Sequence, residues 1–244
     1  MKKQKTRFYE ADYADGRRIR VYENDGAYHS ASYIEKPLRF LPVFRYMHAF
    51  NKAFDLKQDI NTVLLIGGAG YGWPKYVLST YPDISMDVVD IDSDAYENAL
   101  EHFYLDELIR IYHPDLHPIT DDGRHYLQTA DKKYDLIVND AYVGTTPVPS
   151  LLTLEACRDI HERLSHDGIY AANLHGYTRL KMSYDLLDAA CTASEVFRYV
   201  SLVPIQSTFT GNYRINYVLF ASDKYKDIPG SIEYSTKKYK ILRD

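Results

Sequence analysis

Short runs rich in apolar residues, separated by amphipathic stretches, organise most of this chain. The run TVLLI at 62–66 stops at paired glycines, and a helical pattern follows over about 72–80. Apolar runs at 85–91, 116–119, 134–139 and 168–174 predict further strands. Helical spacing over about 94–103, 123–130, 153–164 and 181–193 predicts the helices between them. Two more apolar runs, 196–204 and 214–221, are joined by a short polar segment, so the last strand is expected to run antiparallel. Ahead of this region, RIRVY at 18–22 alternates charged and apolar residues between the turn sequences ADG and NDG, which predicts a β-hairpin. Phe40, Leu41, Phe44, Met47 and Phe50 recur near helical spacing and predict a helix over about 38–54.

Strands alternating with helices specify an α/β fold: a doubly wound, Rossmann-like sheet of seven strands with helices on both faces. Three parts are expected, an N-terminal hairpin and helix to residue 55, the sheet domain over 56–228, and a polar C-terminal tail over 229–244. Its 244 residues suffice for a full core. The net charge of −5 argues against a nucleic-acid partner. Cys157 and Cys191 are read as reduced thiols, with no disulfide framework and no metal spacing. No apolar run has membrane-spanning length, and a cytoplasmic protein without a membrane partner is expected. The 24 tyrosines are numerous enough to supply aromatic pocket walls as well as core.

The chemistry is concentrated in TVLLIGGAGYGWPKYVLSTYPDISMDVVDID, residues 62–92. Gly67, Gly68, Gly70 and Gly72 form a turn in which backbone can approach a ligand. Asp90 closes the next strand at the spacing of an acid that accepts from ribose hydroxyls. GGAGYG departs from the dinucleotide fingerprint and suits an adenosyl-sulfonium ligand, which carries no phosphate. The sheet is therefore expected to be of the S-adenosylmethionine-dependent methyltransferase type.

Ligands of open α/β sheets lie beyond the carboxyl ends of the strands. That rule gathers Gly67 to Gly72, Asp90, Asp92, Asp121, Asp122, Gly123 and Asp140 on one rim. Asp92, Ser93 and Asp121 are also candidate helix caps. Asp140 suits a general base, because a carboxylate can accept the proton of an attacking amine. Tyr142 and Tyr71 are candidate substrate contacts, Tyr142 through cation–π attraction. Lys75 is read as solvated, Glu155 as a helix-face acid, and His29, His125 and His175 as ordinary polar residues. Gln206 to Tyr213 is a candidate cover for the acceptor.

LLIGGAGYG, VVDID, TDDG and YDLIVNDAY, in this order and spacing, resemble the spermidine synthase family. PSLLTLEACRDIHERLSHDGIYAANL is similar to the family's P-x-x-L-x-T-x-E-F helix and the strand after it. The resemblance implies that Asp90 grips the ribose, Asp122 holds the adenine amino group and Asp140 deprotonates the amine. It also implies a homodimer. Departures lie in both loops. Gly70 and Tyr71 replace the aspartate and following glycine of G-G-G-D-G-G, and Val143 and Gly144 replace the second aspartate and proline of D-S-S-D-P. The family's Y-H-E element is not evident; Tyr28-His29-Ser30 and Tyr33-Ile34-Glu35 lie nearby.

The first expectation is transfer of an aminopropyl group from decarboxylated S-adenosylmethionine to a small-molecule amine, as in polyamine biosynthesis, with no metal. The alternatives are an S-adenosylmethionine-dependent methyltransferase and a noncatalytic nucleoside-binding protein. Loss of the acid at Gly70 lowers repulsion of the carboxylate that S-adenosylmethionine carries.

Overall fold

The computed structural model describes residues 6–14, 16–24, 27–180, 183–205, 211–235 and 239–244. The N-terminal part is a three-stranded antiparallel sheet of β1 (Thr6–Asp12), β2 (Arg18–Asn24) and β3 (Ala27–Tyr33). The expected hairpin is thus extended by one strand. Asp15, Asp25 and Gly26 of its turn signals lie outside the described residues. The helix expected over 38–54 is instead two short helices, α1 (Arg45–Phe50) and α2 (Lys52–Leu56), on either side of Asn51. Asn51 Oδ1 accepts from Trp73 Nε1 at 3.0 Å, which ties the break to the core.

The main sheet has the order β11-β12-β10-β7-β4-β5-β6. Its first half comprises β4 (Thr62–Ile66), α3 (Gly72–Thr80), β5 (Ser85–Asp90), α4 (Ala95–His102), α5 (Leu105–Tyr112), β6 (Asp115–Thr120) and α6 (Gly123–Thr129). Helix α5 has no counterpart in the sequence reading. Then come β7 (Tyr134–Asn139), a two-residue ribbon of β8 (Tyr142–Val143) and β9 (Thr146–Pro147), α7 (Leu154–Arg163) and β10 (Leu164–Tyr177). Helix α8 (Tyr184–Ser194), β11 (Tyr199–Pro204) and β12 (Arg214–Ser222) complete the order. β12 is antiparallel to both β10 and β11, as the short polar connection requires.

Side chains alternate across a strand, so each strand feeds two cores. Val63 and Leu65 pack beneath α1, α2 and α3 with Phe50, Trp73 and Leu78. Leu64 and Ile66 pack on the other face with Leu127, Ile160 and Leu187. The C-terminal tail is docked on that second face: Leu154 N donates to the Leu242 carbonyl at 2.8 Å, and Arg124 Nη2 to Asp244 at 3.0 Å. Among the described residues no helix is long and apolar enough to cross a membrane.

Candidate active site

The strand ends meet as the topology demands. Gly67 N donates to the Val89 carbonyl at 2.8 Å, Asp121 N to the Asp90 carbonyl at 3.1 Å, and Asp140 N to the Ile66 carbonyl at 2.8 Å. These three bonds join β4 to β5, β5 to β6 and β7 to β4 directly at the rim. Gly67 has φ +94°, and a Cβ there would lie 2.7 Å from the Asp140 carbonyl carbon, so glycine is required twice over.

Asp90 holds the glycine loop. Its Oδ2 accepts from Gly68 N at 2.7 Å and Ala69 N at 2.9 Å, and its Oδ1 from Asp92 N at 2.9 Å. The loop needs that support, because Ala69 and Tyr71 adopt φ of +42° and +55° without being glycine. Tyr71 also buries its ring, at 1% exposure, and packs edge-on against Tyr96 at 5.9 Å. Tyr71 was expected at the substrate; it lies instead in the core beneath the loop. The loop's fit to its surroundings extends to Gly70, where a Cβ would fall 2.3 Å from Ser30 Oγ. Strand β3 therefore occupies the direction in which the family's aspartate would project. Gly72 begins α3.

The acids of the rim divide differently from the sequence reading. Asp122 is the cap of α6, its Oδ1 accepting from Arg124 N at 2.8 Å and His125 N at 3.0 Å. Asp121 accepts from Asp122 N and pairs with the His125 ring at 2.8 Å. Asp92 accepts from Asp94 N at 3.0 Å and does not cap α4, whose N-cap is Asp94 with no side-chain bond. Gly123 allows α6 to approach β4, since a Cβ there would lie 2.3 Å from Ile66 Cγ2.

Asp140 is the most perturbed acid. Tyr46 Oη donates to its Oδ2 at 3.0 Å, and Asn173 Nδ2 to its Oδ1 at 2.8 Å. Burial raises its pKa to about 7 against the lowering effect of those two bonds. Burial beside Asp140 also raises the Tyr46 phenol well above its usual range, so Tyr46 stays a donor. The sequence reading missed Asn173 and, on the other oxygen of the same carboxylate, Tyr46. The signal for Tyr46 was position, a tyrosine at the start of a helix just before the first core strand.

Tyr142 donates to the Asn173 carbonyl at 2.9 Å and sets its ring edge-on to His175 at 5.2 Å. Val143, where the family has its second loop acid, is 74% exposed. Lys75 is not solvated. It is fully buried, and Nζ donates to Ser32 Oγ at 2.6 Å and to the carbonyls of Arg39 and Phe103. It clamps β3 to the turn after α4 and is unavailable to a ligand carboxylate. Glu155 accepts from Arg243 and from Asp244 N, which makes it a tail anchor. His117 pairs with Asp115 at 2.8 Å. Among the described residues no three potential metal ligands cluster. Residues 206–210 of the candidate cover lie outside the described residues.

Strand order, the antiparallel β12 and the glycine rim define the methyltransferase-like class of α/β folds. The Spermine/spermidine synthase domain matches residues 45–226, and the chain belongs to that family. It is 31% identical over 121 residues to the polyamine aminopropyltransferase of Vibrio vulnificus, covering 48% of this chain and 39% of that one. It is 30% identical over 143 residues to that of Thermococcus kodakarensis, covering 55% and 48% respectively. The chain thus spans less than half the length of these relatives. A probable spermidine synthase from Corynebacterium glutamicum shares the fold with a TM-score of 0.75 at 19% identity, over 97% of this chain and 81% of that one. Human methyltransferase-like protein 13, in complex with SAH, shares it with a TM-score of 0.53 at 17% identity, over 78% and 84%.

Proposed function

We propose that this chain transfers an aminopropyl group from decarboxylated S-adenosylmethionine to a small amine, a reaction of polyamine biosynthesis. The observation that carries the reading is Asp140, held by Tyr46 and Asn173 against the glycine loop with a pKa of about 7. The amine nitrogen attacks the methylene carbon beside the sulfonium. The C–N bond forms, the C–S bond breaks toward sulfur, methylthioadenosine leaves, and the amine proton passes to the Asp140 carboxylate. Near neutral pH that carboxylate is poised between its two forms, as a base for this step requires.

The rim fits a cationic donor without phosphate, since acids stand at successive strand ends. Asp90 braces the loop and, in this reading, meets the ribose, while Asp122 meets the adenine edge. The N-terminal part to residue 55 supplies Tyr46, the sheet domain over 56–228 supplies the rim, and the tail from 229 braces its far side. Cytoplasmic location and a homodimer belong to the same reading and rest on the family likeness.

A methyltransferase using S-adenosylmethionine is the second reading. It is favoured by the missing acid at Gly70, whose space Ser30 fills. Thermal shifts with four ligands separate the two. Ligand at a hundredfold excess over its dissociation constant adds about 2.7 kcal/mol of stability. Larger shifts with decarboxylated S-adenosylmethionine and methylthioadenosine are expected. Larger shifts with S-adenosylmethionine and S-adenosylhomocysteine would transfer the assignment, and no shift from any of the four would remove it.

A further inference from the structure

The polar surface around Asp140 continues along the sheet and changes sign. Asn173, His175 and Tyr177 share one face of β10, because side chains repeat every second residue. β12 runs antiparallel beside them, with His175 opposite Asn216 and Tyr177 opposite Arg214. Asn216 Nδ2 donates to Asn173 Oδ1 at 2.8 Å, so the hydrogen-bonded chain that starts at Asp140 crosses onto β12. Arg214 Nη2 donates to the Thr145 carbonyl at 3.3 Å, in the turn between β8 and β9. His175, which also bonds the backbone of Thr145, stands edge-on to the Tyr142 ring, and its Nδ1 is buried without a hydrogen-bond partner. Arg214 is exposed, and among the described residues no carboxylate pairs with it. The sequence of residues 206–210, QSTFT, which lie outside the described residues, contains no acid.

A carboxylate therefore stands at one end of this surface and a guanidinium at the other. A diamine would place its second ammonium toward Arg214, with Val143 offering no acid to offset the repulsion. We infer that the acceptor is an amine whose far end is a carboxylate, bound by Arg214 beside His175. This inference rests on the aminopropyl-transfer reading for the chemistry at Asp140 and departs from it in the product, an N-aminopropyl amino acid in place of a polyamine. Two residues along a strand span about 6.6 Å, the step from Asn173 to His175; Arg214 stands opposite Tyr177, one such step further, and reaches the Thr145 backbone that His175 also bonds. A single guanidinium suits a monoanion. Burial and Arg214 both lower the His175 pKa, so the imidazole brings no second positive charge to the surface.

The test compares putrescine with 4-aminobutyrate, which share an amine on a four-carbon chain and differ only at the far end, an ammonium against a carboxylate. Methylthioadenosine release with decarboxylated S-adenosylmethionine gives kcat/KM for each. Calorimetry on protein saturated with methylthioadenosine gives the affinity of each without turnover. The expected result is at least a tenfold preference for 4-aminobutyrate in both readouts, kept by Arg214→Lys and reversed by Arg214→Glu. A preference for putrescine, a ratio that Arg214→Glu leaves unmoved, or no binding of either amine overturns the inference. Absence of methylthioadenosine with every amine would overturn the transfer reading instead. The calorimetric ratio would then decide the ligand preference of the Arg214 surface alone, a tenfold excess for 4-aminobutyrate supporting a carboxylate site and any smaller or opposite ratio overturning it.

Discussion

Tyr46 and Asp140 stand 94 positions apart in sequence, yet the Tyr46 hydroxyl donates to Asp140 Oδ2 at 3.0 Å. The bond stabilises the ionised carboxylate while burial opposes it. Turnover should therefore rise with pH through about 7, as Asp140 loses its proton. Tyr46→Phe removes a stabilising donor and should move the inflection of the kcat/KM profile to higher pH. Asp140→Asn should abolish methylthioadenosine formation and leave methylthioadenosine binding within a few-fold. An unmoved profile in Tyr46→Phe would break the link between the two residues. The same shift has a stability sign. The folded pKa lies above the unfolded one, so this group's contribution is full below about 4 and is lost as pH rises through about 7. Asp140→Asn should flatten that part of the pH dependence of the unfolding free energy.

Asp90 is expected to matter for stability as well as for ligand affinity. Asp90→Ala strands the Gly68 and Ala69 amides that it accepts from, in a loop already carrying two left-handed residues without glycine. An unsatisfied buried donor costs about 1–3 kcal/mol. Chemical denaturation should show a loss of that order without any ligand, together with weakened nucleoside binding by calorimetry. Unchanged stability would leave Asp90 a ligand contact alone.

Restoring the family's acid should fail in this chain. Gly70→Asp places Cβ against Ser30 Oγ and Phe103 Cδ2. Overpacking of this kind costs about 1–3 kcal/mol. Ser30→Gly in the same chain should recover part of the loss, read as urea midpoints. Full stability of Gly70→Asp alone would show that β3 yields readily at this point.

Lys75 offers an opposite pH signature. Burial, reinforced by Arg39, lowers its pKa to about 7, below its unfolded value. Its contribution to stability is therefore full above the ordinary lysine range near 10.4 and is lost as pH falls through about 7. Lys75→Met should remove that dependence. It should also destabilise by about 1–3 kcal/mol at neutral pH, because the Arg39 and Phe103 carbonyls lose their donor. Thermal unfolding between pH 6 and 10 on both proteins is the measurement, and parallel curves would refute the assignment.

Much of the architecture was legible locally. Glycine after TVLLI, Asp90 after the second strand and Asp140 after the fourth could be placed on one rim because parallel α/β topology brings the carboxyl ends of strands together. Periodicity located the strands well and the helices less well. The apolar spacing over 38–54 persists through Asn51, where α1 and α2 meet and the side chain accepts from Trp73. α5 escaped because its flanking Tyr104 and His113 take left-handed conformations that their residue types do not announce.

The sequence by itself determined the doubly wound sheet, its antiparallel last strand, the glycine loop and the family, since all of these depend on short-range pattern and strand-end topology. Tertiary structure alone decided that Tyr46 donates to Asp140, that Ser30 fills the space beside Gly70, that Tyr71 and Lys75 are buried, and that Arg214 faces the surface leading from Asp140. The physical reason is that the polar ends of tyrosine, serine, lysine and arginine can be satisfied by water or by protein. Their partners here come from elements distant in the chain, and no spacing along the sequence specifies which of them the packing brings together.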